Sequence, residues 1–211
     1  DPESGATVEQ GVLPLDGSTD DLEGLATRGN HLFAITSPGW ILEYARTDHG
    51  FSLVQHYALG PIDLPPKGGL GDKPPVGDGM VCDGTKTNCG RNYEGICLTE
   101  TAGYVLSKAD GHLYPLVGSP LHVQREGAIA VEKPGFAADC AYDETGALYV
   151  GNNFFGESRV TKIAQPPETI GQLGIGFPEV LAVHGQIFYR MSDTGGSPSL
   201  MSKFRCSRSA R

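Results

Sequence analysis

Residues 22–26 of this chain read LEGLA, and residues 93–97 read YEGIC. Two later stretches have the same form, ADCAY at residues 138–142 and PEVLA at residues 178–182. Each has an acidic residue near its start, followed by small and apolar residues that suit a buried strand. The same short strand therefore recurs four times along the chain.

Each of these strands is followed by two further apolar runs, separated by turn residues. The runs are HLFAI and WILEY after the first strand, GYVL and HLYPL after the second, ALYV and RVTKI after the third, and QIFY and LMSKF after the fourth. One copy is a three-stranded meander, which cannot bury both of its faces alone. Repeats of this length that pack radially close into a propeller. The sequence predicts an all-β, four-bladed β-propeller.

The ends of the repeat array suggest how the ring closes. A fourth, outer strand is visible in the first copy at residues 51–57. The fourth copy has no such strand, so residues 7–13 (TVEQGVL) are predicted to supply it and to close the ring.

We expect one domain over residues 1–211, with a Gly- and Pro-rich insertion at residues 60–92 between the first two blades. An insertion of this length is either a tolerated surface loop or a functional one. A five-bladed ring, with a degenerate blade inside the insertion, is the alternative.

The chain carries a formal net charge of −9. An acidic surface argues against binding to nucleic acid or to an anionic membrane. No apolar run approaches the roughly 20 residues of a membrane-spanning helix. We expect a monomer in a secreted or extracytoplasmic location, with a protein or a glycan as its partner.

Five cysteines are present. Cys82 and Cys89 lie close together in the insertion, and this spacing predicts a local disulfide. No CxxC pair occurs, which argues against structural zinc. The pairing of Cys97, Cys140 and Cys206 stays open. A disulfide would favour an oxidising compartment.

The acidic residues of the four repeats are Glu23, Glu94, Asp139 and Glu179. The first strand of each propeller blade is innermost, so these carboxylates are expected to meet at one mouth of the channel. Like charges so close together raise each other's pKa, and a bound cation or partial protonation relieves the repulsion. Ca²⁺ accepts irregular cages of oxygen ligands. The sequence therefore predicts an axial Ca²⁺ site, to which four further side chains could add oxygen atoms: Asp21, Asn92, Asn152 and Asn153.

The alternative for the same ring is structural, with each carboxylate accepting backbone N–H groups of the neighbouring blade and no ion. The sequence contains no nucleophile elbow, no zinc-protease helix motif and no phosphate-binding loop. No catalytic residue is assigned. The six histidines show no metal-ligand spacing.

Acidic residues that open four innermost strands resemble the hemopexin-type domains, which are four-bladed and hold ions in the axial channel. The chain lacks that family's aromatic-rich strand ends and its disulfide between the first and last blades. Residues 21–26 and 92–97 also resemble the Glu-Gly strand openings of bacterial extracytoplasmic propellers. These include the SdiA-regulated and esterase-like phytase groups and, more distantly, the calcium-dependent lactonases.

Three functions are consistent with these observations. The first is a secreted, non-catalytic binding or interaction module with Ca²⁺ in its channel. The second is a calcium-dependent hydrolase, a lactonase or phosphoesterase, in which the ion polarises a substrate oxygen and a carboxylate or His acts as base. The third, carriage of haem or metal, is implied only by the hemopexin resemblance.

Overall fold

The computed structural model describes residues 3–4, 6, 12–14, 22–37, 39–59, 92–133, 135–153, 158–193 and 198–206. These residues form sixteen β-strands, and no helix among them could cross a membrane. The strands make four antiparallel sheets arranged as the blades of a propeller. The prediction of an all-β, four-bladed β-propeller is confirmed.

Blades 1 and 2 are built from the first nine strands. Blade 1 consists of β1 (Leu22–Arg28), β2 (His31–Thr36), β3 (Trp40–Thr47) and β4 (Gly50–Ala58). Blade 2 consists of β5 (Tyr93–Leu98), β6 (Gly103–Ser107), β7 (His112–Val117), β8 (His122–Val123) and β9 (Ile129–Ala130). The two short strands β8 and β9 both pair with β7. The outer strand predicted at residues 51–57 is confirmed as β4.

Blades 3 and 4 complete the ring. Blade 3 consists of β10 (Ala137–Tyr142), β11 (Leu148–Asn152), β12 (Arg159–Lys162) and β13 (Glu168–Gln172). Blade 4 consists of β14 (Phe177–His184), β15 (Ile187–Asp193) and β16 (Met201–Arg205). In every blade the strands pair with their neighbours in sequence, except that β9 of blade 2 pairs with β7, so each blade is built on a meander.

The segments predicted to close the ring and to form the insertion lie mostly outside the described residues. Only Asn92 of residues 60–92 is described. At the N-terminus, Glu3 pairs with Lys203 of β16 at 3.2 Å, and Leu13 packs against a cluster of blade 1. These contacts place the described flanks of residues 7–11 on the two blades that a closing strand would join. The closing strand itself stays a prediction.

The apolar core lies between successive blades. Blades 1 and 2 bury a cluster around Ile35, Ile96 and Val105, and two equivalent clusters lie between blades 2 and 3 and between blades 3 and 4. The face-to-face packing that a lone meander cannot provide is thus supplied by its neighbours.

Each innermost strand carries a one-residue β-bulge near its start. In blades 1, 2 and 4 the extra residue is Glu23, Glu94 or Glu179. In blade 3 it is Ala138, and Asp139 follows one position later, where blades 1 and 2 have glycine. Three of the four acidic residues therefore occupy equivalent positions in the structure, whereas Asp139 lies one residue later than the others.

Gly95 allows the inner strands β5 and β10 to approach closely. A Cβ atom at Gly95 would lie 2.5 Å from Asp139 Oδ1, 3.0 Å from Cys140 N and 3.1 Å from Asp139 Cα. Gly24 makes the same approach one blade earlier, where a Cβ atom would lie 2.8 Å from Ile96 N. In each Glu-Gly pair, the glycine therefore allows close packing of neighbouring inner strands, and the glutamate supplies the polar group.

A disulfide between Cys97 and Cys140 joins β5 to β10, with their Cα atoms 5.8 Å apart. It therefore links the inner strands of blades 2 and 3. Cys206 forms no disulfide with any cysteine that the structure describes. Cys82 and Cys89 lie outside the described residues, so their disulfide stays a prediction.

We expect Gly95→Ala to lower the free energy of unfolding by about 1–3 kcal/mol, because backbone atoms of blade 3 cannot yield to the added methyl group. Urea unfolding measures the loss. Gly171→Ala in β13 is the matched control, since its Cβ would approach nothing closer than Leu173 Cδ2 at 3.7 Å. Equal stabilities of the two variants would contradict the close approach.

Candidate functional site

Glu94 and Glu179 approach each other around the side chain of Lys108. The Lys108 ammonium lies 3.0 Å from Glu94 Oε2 and 4.0 Å from Glu179 Oε2. Asn153 Nδ2 donates a hydrogen bond of 2.7 Å to Glu179 Oε1. The Glu94 side chain is 2% exposed and that of Glu179 is 31% exposed. We call these four residues the mouth cluster.

The antiparallel meander explains why these residues meet. Glu94 and Glu179 lie near the starts of first strands, and Lys108 and Asn153 directly follow the second strands β6 and β11. In an antiparallel pair the start of one strand lies beside the end of the next. The Lys108 N–H donates to Asn92 O at 2.9 Å, and the Asn153 N–H donates to Phe136 O at 3.1 Å. Both strand ends are thereby fixed at the same end of the channel.

Burial raises the pKa of Glu94 to about 7, although the Lys108 ammonium acts in the opposite direction. The neighbouring Glu179 carboxylate raises the Glu94 pKa further. Glu94 Oε1 is buried and accepts no hydrogen bond from the residues that the structure describes, and Glu94 hydrogen-bonds to the Glu179 carboxylate only in its protonated form. Ionised Glu94 therefore lacks part of the compensation that a buried carboxylate requires.

Asp139 is bonded to the backbone instead. Its Oδ1 accepts from the Cys140 N–H at 2.7 Å, and its Oδ2 accepts from the Leu181 N–H at 2.8 Å. The second bond ties β10 to β14 across the interface of blades 3 and 4. Burial raises the pKa of Asp139 to about 8, against the lowering effect of both hydrogen bonds. Asp139 therefore fits the structural alternative for the ring, in which a carboxylate accepts backbone N–H groups of the neighbouring blade.

Arg190 is a second cation near the axis, and it is 1% exposed. Its Nη2 donates to Asn152 O at 2.8 Å and to Pro178 O at 2.6 Å. A Cβ atom at Gly151 would overlap the Arg190 guanidinium, so glycine leaves the room that this side chain fills. Burial lowers the pKa of Arg190 to about 10, whereas Asp139 and Glu179 act to raise it. Arg190 is therefore positively charged at neutral pH.

The remaining predicted ligands are placed differently. Glu23 is half-buried at the start of β1, and Asp21 lies outside the described residues. Asn92 Oδ1 accepts from Ser37 Oγ at 2.7 Å, and Asn152 Nδ2 donates to Glu132 Oε2 at 3.0 Å. Within the described ranges, no three His, Cys, Asp or Glu side chains lie close enough together to hold a metal ion.

Sequence reasoning missed Lys108 and Arg190. Lys108 stands at the end of its second strand, the position at which Asn153 stands in blade 3. A comparison of strand ends across the repeats, in addition to strand starts, would have found it. Arg190 gives no such signal, because a charged residue within a strand is normally read as solvent-facing.

No family model matches this chain, and neither does any curated protein. Among solved structures, the glutaminyl cyclase of Myxococcus xanthus aligns over 87% of this chain and 66% of its own, with 16% identity and a TM-score of 0.52. The computationally designed Ika4 protein aligns over 94% of this chain and 99% of its own, with 11% identity and a TM-score of 0.44. A candidate 6-phosphogluconolactonase from Bacteroides uniformis aligns over 88% of this chain and 53% of its own, with 11% identity and a TM-score of 0.47.

At 16% identity, the likeness to the cyclase shows the fold alone. The chain spans about two thirds of the cyclase and about half of the lactonase. The likeness to the cyclase supports the propeller fold, and membership of the hemopexin-type family is not confirmed.

The raised pKa of Glu94 makes stability depend on pH. Between its ordinary value of 4.5 and its folded value of about 7, the folded protein holds this proton more tightly than the unfolded chain. The stabilisation is complete below pH 4.5 and is lost as the pH rises through about 7. We expect Glu94→Gln to be more stable than the wild type at pH 8, by on the order of 3 kcal/mol, and equal to it at pH 4.5.

Chemical unfolding across this pH range measures the difference between the two proteins. Glu168→Gln on the exposed face of β13 is the control and should follow the wild type at every pH. A Glu94→Gln protein less stable than the wild type at pH 8 would mean that the ion pair with Lys108 outweighs burial.

Proposed function

We propose that this chain is a binding module that takes up a cation at the mouth of its channel, between Glu94 and Glu179. The observation that carries this proposal is the buried Glu94 Oε1, which accepts no hydrogen bond from the described residues when Glu94 is ionised. This oxygen belongs to the mouth cluster, whose other carboxylate, that of Glu179, is partly exposed to solvent. A ligand can therefore approach from the side of Glu179.

The charges of the mouth cluster favour a cation. Within the mouth cluster two carboxylates face one ammonium, with the Arg190 guanidinium also acting on Glu179, and the chain as a whole carries a net charge of −9. A positively charged ligand would stabilise the ionised form of Glu94, which burial disfavours. An acidic surface also raises the local concentration of cations around the opening.

Two sources of positive charge fit this chemistry, Ca²⁺ and an organic ammonium. Ca²⁺ takes six to eight oxygen ligands, so with two carboxylates it would keep several waters. An ammonium group has three N–H donors and needs fewer acceptors. Lys108 already presents an ammonium group to the same two carboxylates. The site therefore favours an ammonium, carried by a protein or glycan partner, over the Ca²⁺ predicted from the sequence.

We place this module in a secreted or extracytoplasmic compartment. The support is the disulfide between Cys97 and Cys140, because disulfides persist in oxidising environments and are rare in the cytosol.

Calorimetric titration at pH 8 with CaCl₂, and separately with Nα-acetyl-lysine methylamide, tests the proposal and distinguishes its two sources. We expect binding of the lysine derivative, weaker at pH 6 because Glu94 is then protonated. Glu179→Gln should weaken it about tenfold or more, as expected for the loss of a hydrogen bond to a charged group. Glu168→Gln should not change it. Binding of Ca²⁺ alone, reversed by EDTA, would assign the site to the metal, and binding of neither would contradict the proposal.

A second candidate function is acid–base catalysis at the same cluster. Glu94 titrates near pH 7 and lies 3.0 Å from Lys108, and a group with such a pKa suits proton transfer at neutral pH. The cyclase that shares the fold suggests N-terminal glutamine as one substrate to assay. A lactone is the second substrate to assay, because the sequence is also consistent with a calcium-dependent lactonase. Haem carriage gains no support, since His31, His112 and His184 face acidic residues in separate blades.

Mass spectrometry of a glutaminyl peptide and of a simple lactone, each incubated with the protein, tests catalysis. Turnover appears as loss of ammonia or addition of water. If the protein is an enzyme, Glu94→Gln should abolish turnover and Glu168→Gln should keep it. Turnover that survives in Glu94→Gln would exclude Glu94 as the acid or base.

A further inference from the structure

A second opening lies further along the same channel, with a volume of about 330 Å³. Each inner strand contributes three successive residues to its wall, which are residues 25–27, 96–98, 140–142 and 181–183. In every blade these are the second to fourth residues after the bulge. Equivalent positions of four radially arranged strands surround the axis, so this cavity is axial.

The side chains that line the cavity are mostly apolar, whereas about half of its exposed lining is polar and so comes largely from backbone groups. Leu25, Ile96, Leu98 and Leu181 supply aliphatic side chains, and the disulfide of Cys97 and Cys140 forms part of the wall. Among the described residues that line it, none has a charged side chain. Leu25 is nevertheless 59% exposed, although it lies on an innermost strand. The cavity is therefore open to solvent and leaves apolar surface that a ligand could cover.

Tyr142 adds a phenolic hydroxyl to the residues that line the cavity. Burial raises its pKa to about 12 and the neighbouring Tyr104 acts in the same direction, whereas the charge of Arg28 acts to lower it. The phenol therefore stays protonated and can donate a hydrogen bond. Thr27, on the exposed face of β1, is the other lining residue with a hydroxyl group.

We propose that this axial cavity binds an uncharged, largely apolar small molecule with one hydrogen-bond acceptor directed at Tyr142. Its volume falls at the lower end of the range of ligand pockets. No charged side chain lines the cavity to compensate the desolvation of an ionic group, which favours an uncharged ligand. The site differs in place and in chemistry from the mouth cluster, so the two proposals stand or fall separately.

Fluorescence of the neutral dye N-phenyl-1-naphthylamine tests occupancy of the cavity. We expect the dye to bind the wild type, and acetophenone to displace it at a concentration roughly threefold to tenfold lower than ethylbenzene, since the two differ only in the carbonyl acceptor. Tyr142→Phe should remove that difference while dye binding is retained. An undiminished preference for acetophenone in Tyr142→Phe would overturn the assignment of the donor.

Ala182→Phe places a phenyl ring in the cavity from an exposed position of β14 and should abolish dye binding. Ala130→Phe, on an exposed position of β9 away from the axis, is the matched control and should bind as the wild type does. If Ala182→Phe is unstable in thermal unfolding, Thr27→Phe fills the cavity from β1 instead. Unchanged dye binding in a folded cavity-filling variant would overturn the proposal. Cation titration of the same variant should be normal, which separates this failure from failure at the mouth cluster.

Discussion

Two cations supplied by the protein itself make the centre of this propeller possible. Inner strands that carry acidic residues converge on one axis, and their carboxylates would repel one another in a medium of low dielectric constant. Lys108 lies between Glu94 and Glu179, and Arg190 is buried near Asp139 and Glu179. An external ion is thus not the only way to compensate the ring, and the raised pKa values show that the compensation is partial.

The packing around the axis follows from these charges. Arg190 is accommodated because Gly151 has no side chain, and its Nη2 binds carbonyl groups of blades 3 and 4. Asp139 bonds to the backbone of β14 and occupies the room left beside Gly95. Each of these buried ionisable side chains therefore fills the space beside a glycine of the adjacent blade. The inner strands have little freedom to shift relative to one another.

The sequence was sufficient to predict the meanders, the number of blades and the outer strand β4, because alternation and turn residues are local signals. It also led us to expect four carboxylates at one mouth of the channel, and in the structure two of them, Glu94 and Glu179, lie on either side of Lys108. It could not place Asp139, since a one-residue bulge at Ala138 changes the register without changing the residue pattern. The pairing of Cys97 with Cys140 stayed open in the sequence for the same reason. Cys97 lies three residues after the bulge of β5, and Cys140 lies two residues after the bulge of β10. Their proximity is therefore evident only from the positions of the two strands in the structure.

The channel has two chemically distinct parts, a charged mouth and a cavity lined by uncharged side chains that begins two residues further along each inner strand. The mouth is the part on which the proposed function rests, and Glu94 is its central group. A ¹³C NMR titration of the Glu94 side-chain carboxyl, with and without a saturating cation, measures its charge directly. The structure leads us to expect a pKa of about 7 in the free protein and a lower value with the cation bound. A pKa near 4.5 that does not respond to cations would contradict both the incomplete compensation of Glu94 and its role in binding.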